Sequence, residues 1–446
     1  MMATPFIQHP LMAYTFVGCD SHKHSHTLVF VDCFARELGT MTISNIPSDF
    51  EIFLEKAQEY LIEGTCFCFG LEDTTHYGRA LTSFLLGKGQ MVKNVSSNLV
   101  ASERNAKNTL NKSDYIDALS CVRVLISRFD TLPLARVSDE LFILRSLVSR
   151  RKAIVKLNIS LKRQLHELLT VNYPTYQTFF HDIACKSALV FFSAYPSPSC
   201  LNATNVEALE ILLYEAAHKS INKEVAHQKA KHIFNSVTHE KVPVLALTKH
   251  RDFTISSIIK QIETNLDEID TIESHLEQLL DILDIPLTSM KGIDVPIACG
   301  LINNIGDINR FKNAAALAKY AGIAPSMYAS GKSHNEYSNT RGNRELATLF
   351  YQLSVTVALL NGKDKNITNP FFHELYVRKR AEGKTHKQAL KVVQRRLVNV
   401  IFGIMKYKHD YINPPTMYVD ERTGIIKEAK IQSNPIKIAA TFELSS

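Results

Sequence analysis

Apolar positions in the first 130 residues fall into short runs with period-two character, separated by helical spacings. Phe16-Val17-Gly18-Cys19 runs into Asp20, Thr27 to Val31 follows, and Leu38 to Ile43 completes a three-strand meander. Ser48, with Glu51 three residues on, marks a capped helix reaching about Ile62. Cys66 to Leu71 is an unbroken apolar run ending at Glu72, the pattern of a buried strand. A helix from Tyr77 to Leu86, a strand from Gln90 to Val95, a polar loop and a helix from Ser113 to Ser127 come next. The order β-β-β-α-β-α-β-α predicts an α/β domain over 14–130, built around a mixed sheet.

From 138 onward the periodicity is helical. Leu141, Leu144, Val148, Leu161, Leu165 and Leu168 stripe one long basic helix, and small helices joined at Pro196-Ser197-Pro198 fill 186–240. In a second long helix, Ile259, Ile262, Leu266, Ile269, Leu276, Leu280 and Leu283 make a heptad-like seam that only Glu273 breaks. The segment 138–285 therefore reads as a helical coiled-coil arm, either an oligomer seam or a hairpin within one chain. After Pro286, Lys291-Gly292-Ile293-Asp294 joins two short helices in the manner of a helix-hairpin-helix. A helix from Ala314 to Tyr320, a Gly- and Ser-containing stretch (324–343) and helices near 344–360 and 384–406 make 286–410 a mostly α-helical domain. Residues 411–446, with Pro414-Pro415, read as a C-terminal extension.

Composition narrows the class. Apolar residues at 45% and charged residues at 21% are an ordinary globular balance. No apolar run is long enough for a membrane span, the N-terminus lacks signal-peptide features, and the eight cysteines contain no Cys-x-x-Cys pair. A cytoplasmic protein without a disulfide framework is expected. The net charge of +7 is unevenly spread: the chain carries +11 from Leu287 onward and −4 before it. Such asymmetry points to a polyanion partner, most plausibly nucleic acid, against the plain alternative of a solvated basic face. Lys387, Lys391 and Arg395 form a row at four-residue spacing opposite the stripe of Ala389, Val393, Leu397, Val400 and Ile404, which suits sequence-blind phosphate contacts.

Four acids stand where the elements bring them together. Asp20 and Glu72 end two strands, and Asp114 and Asp117 project from one face at the start of a helix. Four converging carboxylates repel one another and call for a cation, and an all-oxygen donor set selects a hard ion, Mg²⁺ or Mn²⁺. Two such ions support phosphodiester chemistry. His22-x-His24-x-His26 offers three imidazoles on one strand face, but no distant Cys or His pair completes a zinc site, so a polar face or turn is the better reading.

The element order is that of the ribonuclease-H-like fold, and particular residues sharpen the match. Val17-Gly-Cys-Asp20-Ser-His-Lys23, Gly70-Leu-Glu72 with Tyr77-Gly78, and Lys112-Ser-Asp114-Tyr-Ile-Asp117-Ala118 resemble the RuvC-like half of the DEDD insertion-sequence transposases, a family that includes Piv-type invertases and bridge-RNA-guided recombinases. Gly306-Asp307-Ile-Asn-Arg310-Phe311, Leu317-Ala318-x-Tyr320-Ala-Gly322-Ile-Ala-Pro325, Ser330-Gly331 and Arg341-Gly342-Asn343-Arg344 resemble the family's C-terminal serine domain, in order. Lys291-Gly292-Ile293-Asp294 stands where relatives usually carry Pro-Gly-Ile-Gly, putting an acid where backbone amides meet phosphate.

The resemblance implies that Asp20, Glu72, Asp114 and Asp117 bind the metal, and that Ser330 attacks DNA and holds it as a phosphoserine. It also implies a homo-oligomer and a structured guide RNA pairing with target and donor DNA. Lys332, Arg341 and Arg344 lie close enough in sequence to Ser330 to neutralise a pentavalent phosphate. The expected function is cutting and rejoining of DNA by an insertion-sequence transposase. The rival readings are a metal-dependent nuclease or junction resolvase with no covalent serine intermediate, and a catalytically silent nucleic-acid-binding protein.

Overall fold

The computed structural model describes residues 9–72, 74, 76–106, 112–201, 204–217, 221–240, 246–324, 326–330, 333–337, 342–361, 366–412, 417–419 and 426–428. The chain divides into two compact units, 1–142 and 143–446.

The first unit is a five-stranded mixed sheet with the order β3-β2-β1-β4-β5. Its strands are β1 (Tyr14–Ser21), β2 (Ser25–Val31), β3 (Glu37–Ser44), β4 (Cys66–Leu71) and β5 (Met91–Asn94). The meander pairs antiparallel, and β4 and β5 join it in parallel. β1 and β4 are buried almost throughout, so they lie mid-sheet with apolar layers on both faces. One layer holds α1 (Phe50–Ala57) and α2 (Arg79–Gly87), with Phe50, Phe53, Leu81 and Leu85 in its core. The other layer holds α3 (Ser97–Asn105) and α4 (Asp114–Ser127), with Val100, Ala118, Val122 and Leu125 packed on Phe16 and Cys68.

Gly18 sets the spacing of that second layer. A Cβ there would lie 2.2 Å from the Ala118 carbonyl oxygen and 2.6 Å from the Val122 amide nitrogen. Only glycine lets α4 lie directly on β1.

Two expectations for this unit need correction. Ser48 and Glu51 form no capping box: Ser48 bonds to the Asp49 side chain, and α1 starts after Asp49 without a side-chain cap and passes into a 3-10 turn at Gln58. The polar loop before α4 contains α3, whose single buried residue, Val100, leaves almost no periodic signal.

The second unit is helical. α5 (Asp139–Asn172) enters it from the first unit and is followed by α6 (Lys186–Ala194), α7 (Pro198–Leu201), α8 (Val206–Ala216), α9 (Lys223–Glu240) and α10 (Thr248–Leu283). α5 and α10 run antiparallel within the one chain. Arg150 makes a two-pronged contact with Glu268 at 2.8 and 3.0 Å, Arg151 meets Glu273, and the Asn265 amide donates to the buried Asn158 side chain at 2.6 Å. The seam is thus satisfied inside the chain, and Glu273 breaks its pattern because Arg151 faces it. Around the far ends of these helices, Tyr173, Phe179, Phe191 and Phe192 build an aromatic core with the small helices.

Beyond Pro286 come α11 (Val295–Ile305) and α12 (Ala314–Tyr320), the antiparallel pair β6 (Ser326–Ser330) and β7 (Ser333–Tyr337), and then α13 (Arg344–Ala358), α14 (Pro370–Ala381) and α15 (His386–Tyr407). The expected hairpin of two short helices is one 3-10 turn at Leu287–Ser289 followed by α11. Asp294 caps α11, accepting the Ile297 amide at 2.9 Å, so that amide is already occupied. α14 was not expected; only its Phe372 is buried, which gives no stripe to read.

Candidate metal centre

Sheet register brings the first two acids together. Cys19 pairs with Leu71 across β1 and β4, and the Glu72 amide lies 3.5 Å from the Cys19 carbonyl, so Asp20 and Glu72 leave neighbouring strand ends. α4 supplies the other two. Ser113 caps it through the Ile116 amide at 3.3 Å, which sets Asp114 and Asp117 in the first turn. With α4 pressed on Gly18, that turn lies over the end of β1.

All four acids do not meet equally. Asp20 and Asp114 share a tight donor cluster with His22: its Nε2 lies 3.0 Å from Asp20 Oδ2 and 3.2 Å from Asp114 Oδ1, and the three donor atoms all fall within 4.8 Å of one another. Asp117 is buried and forms an ion pair with Arg104 at the end of α3. Glu72 is half-buried. The Asp20 carboxyl is raised to about 6, chiefly by burial and further by the charges of Asp117 and Glu72, with His22 pulling the other way. Asp20, Glu72 and Asp117 therefore feel one another's charge, Asp114 joins Asp20 through His22, and such crowding of negative charge is the condition a divalent cation relieves.

The histidines are not three imidazoles on one strand face. His22 and His24 lie in the turn between β1 and β2, and only His26 is in a strand, fully buried. The turn is held in place: the His22 amide donates to Ser25, and the Asn45 side-chain amide donates to the carbonyls of Lys23 at 3.3 Å and Tyr77 at 3.0 Å. Sequence reasoning missed His22 as a site residue, although its place two residues after Asp20 was a usable signal once the turn is known. It missed Arg104 as well. Asp32, a neighbouring acid, is engaged with the Phe34 and Arg36 amides at 2.9 Å each and with the Arg36 guanidinium, and stands apart as a turn former. Asp73 lies outside the described residues. Cys19 and Cys121 below the site are buried thiols pushed well above the ordinary range, Cys19 to about 12, and are inert.

In the second unit, Ser330 occupies the last position of β6, in register with Ser333. Lys332 and Arg341 lie outside the described residues. The stretch between α12 and α13 has a tightly built neck. A Cβ on Gly342 would lie 2.3 Å from both the Cα and the nitrogen of Gly322, and the Asn343 amide donates to the Tyr320 carbonyl at 2.8 Å. Asn343 also caps α13 and bonds to Asn304 and to the Tyr320 hydroxyl. The Arg310 guanidinium stacks on Tyr320 and Phe311. Burial raises the Tyr320 phenol, but the Asn343 bond and the charges of Arg310 and Arg145 outweigh it and leave it below its ordinary value. Arg344 is exposed at the start of α13. On α15, Lys387 is exposed, Lys391 donates to the Gly322 carbonyl at 3.3 Å, and Arg395 is half-buried, so the basic row is only partly free.

The first unit has the mixed five-stranded sheet of a ribonuclease-H-like DEDD domain, and a mostly helical region follows it. A family model described as "Transposase" matches residues 17–174, and one described as "Transposase IS116/IS110/IS902 family" matches 285–368. The chain belongs to this transposase family, whose members are enzymes acting on DNA. It is 25% identical over 408 residues to the insertion element IS116 uncharacterized 44.8 kDa protein of Streptomyces clavuligerus, covering 90% of this chain and 96% of that one. It is 24% identical over 412 residues to the insertion element IS900 uncharacterized 42 kDa protein of Mycobacterium paratuberculosis, covering 90% and 98%. A pilin gene-inverting protein of Moraxella bovis is 28% identical over 127 residues, 28% of this chain and 37% of that one. Among the described residues, no helix is long and apolar enough to cross a membrane.

Proposed function

We propose that this transposase cuts and rejoins the ends of its insertion sequence with the carboxylates Asp20, Glu72, Asp114 and Asp117 as a divalent-metal site and Ser330 as the nucleophile. The observation that carries this reading is the convergence of Asp20, Glu72 and the first turn of α4 at one end of the sheet. The donor set fits a divalent cation of the Mg²⁺ or Mn²⁺ class, which supplies charge stabilisation to a pentavalent phosphorus and to the departing oxygen. Asp20 and Asp114 hold it, and Glu72 and Asp117 add negative charge beside them. Ser330 Oγ loses its proton and forms a bond to phosphorus while one P–O bond to deoxyribose breaks and the leaving oxygen is protonated. The reverse step rejoins DNA without an external energy source.

Lys332, Arg341, Arg344, Lys387, Lys391 and Arg395 neutralise DNA phosphates, in keeping with the +11 balance from Leu287 onward. A structured guide RNA chooses the sites, the active form is a homo-oligomer, and the protein works in the cytoplasm. The test is purified full-length protein with Mn²⁺ or Mg²⁺ and DNA carrying the element's ends, with and without RNA transcribed from the flanks. DNA covalently attached to protein after denaturation, lost in Ser330→Ala and in Asp20→Asn, supports the reading. Cleavage without an adduct that survives Ser330→Ala assigns a metal nuclease instead.

A further inference from the structure

We infer that His22 is a nitrogen ligand of the divalent ion at the Asp20–Asp114 site, and that it shifts the preference of the site from Mg²⁺ toward Mn²⁺. The inference rests on the metal-site reading above and deepens it. The imidazole Nε2 lies between two carboxylate oxygens, 3.0 Å from one and 3.2 Å from the other. An octahedral ion with ligands near 2.1 Å places adjacent donors about 3 Å apart, so the three atoms already stand at the spacing of one coordination edge after another. Without an ion, an N–H at Nε2 bridges the carboxylates. With an ion, the neutral tautomer turns its lone pair to the same point.

The turn that carries the ring is anchored at its backbone. His22 opens the β1–β2 turn, its amide donates to the Ser25 carbonyl at 3.0 Å, and Asn45 ties that turn to Tyr77. The backbone of His22 is thereby set by two strands and a cross-tie, and its ring meets the two carboxylates from there. An imidazole among carboxylates moves a site along the divalent series away from Mg²⁺, which takes oxygen almost exclusively, and toward ions that accept nitrogen. The expectation of an all-oxygen donor set is thus narrowed: the oxygens come from the acids, and one nitrogen comes from the turn.

The experiment uses the full chain and Mn²⁺ alone. Binding is followed by loss of the free Mn²⁺ electron paramagnetic resonance signal, and coordination by ¹⁴N modulation in pulsed spectra. The wild type is expected to bind Mn²⁺ with imidazole ¹⁴N modulation. His22→Gln is expected to lose the modulation and to weaken Mn²⁺ about 10-fold or more, with a smaller change for Mg²⁺ measured by competition. Circular dichroism confirms that the variant folds, and the wild-type spectrum decides the question even where it does not. Bound Mn²⁺ without ¹⁴N modulation overturns the role of His22 and leaves the carboxylate site standing. No Mn²⁺ binding at all overturns the metal site and this inference with it.

Discussion

The carboxylate site of the first unit and the neck of the serine-bearing stretch in the second both depend on a glycine at a point of backbone contact, yet they are built differently. At Gly18 a strand of a central sheet meets a helix, and the contact positions side chains from segments nearly a hundred residues apart. At Gly342 the close approach is to Gly322, and the surrounding bonds run among Tyr320, Asn343 and Asn304 at the ends of α11, α12 and α13. The first site is fixed by register and layer packing, the second by helix caps. The carboxylate cluster therefore answers to the integrity of the sheet, and the Gly322–Gly342 neck answers to a few polar contacts at helix ends.

That contrast is breakable. Gly18→Ala puts a Cβ against the Ala118 carbonyl and forces α4 off β1, at a cost of about 3 kcal/mol in the first unit and with loss of Mn²⁺ binding. Thermal unfolding and Mn²⁺ titration read both effects. Gly342→Ala is expected to spare Mn²⁺ binding and lower covalent adduct formation about 100-fold, the scale of a displaced reacting group, as a gel assay of protein–DNA adduct measures. Equal loss of metal binding in the two variants would erase the distinction.

Two smaller effects sharpen the picture of the carboxylate side. Arg104→Met leaves Asp117 buried without its counter-ion and should destabilise the metal-free protein by about 2 kcal/mol. Saturating Mn²⁺ should restore much of this, because the ion binds only the folded chain. Asp20 gives a smaller effect with a definite pH sign. Its carboxyl titrates at about 6 in the fold, above the ordinary 3.8, so the folded state holds a proton that the unfolded chain has released. Its stabilising contribution is complete below pH 3.8 and is lost as pH rises through 6. Asp20→Asn should then raise metal-free stability at pH 8 by about 1–2 kcal/mol and flatten the pH slope between 4 and 6, as urea unfolding at several pH values would show.

Much of the first unit was legible because β1 and β4 are apolar runs that lead into acids: Asp20 and Glu72 were visible as strand ends, and Asp114 and Asp117 as one helix face. α3, and with it Arg104, was hidden because one buried valine makes no period. His22 was legible as a residue but not as a ligand, because whether it sits on a strand face or in a turn depends on where β1 ends. In the long helices the apolar seam was visible but its partner was not; Arg151 opposite Glu273 and Asn158 opposite Asn265 show that the partner is the same chain. Spacing alone left Ser326, Ser330, Ser333 and Ser338 equivalent, and only the family resemblance singles out Ser330.

The most direct test of the carboxylate site is cleavage of element-end DNA at varied Mn²⁺ by wild type and by Asp20→Asn, Glu72→Gln, Asp114→Asn and Asp117→Asn, each checked for folding. Four acids working on one site predict a loss of at least about 100-fold in every variant, with Asp20→Asn as stable as the wild type or more so. Undiminished metal-dependent cleavage in folded Asp114→Asn or Asp117→Asn would contradict it.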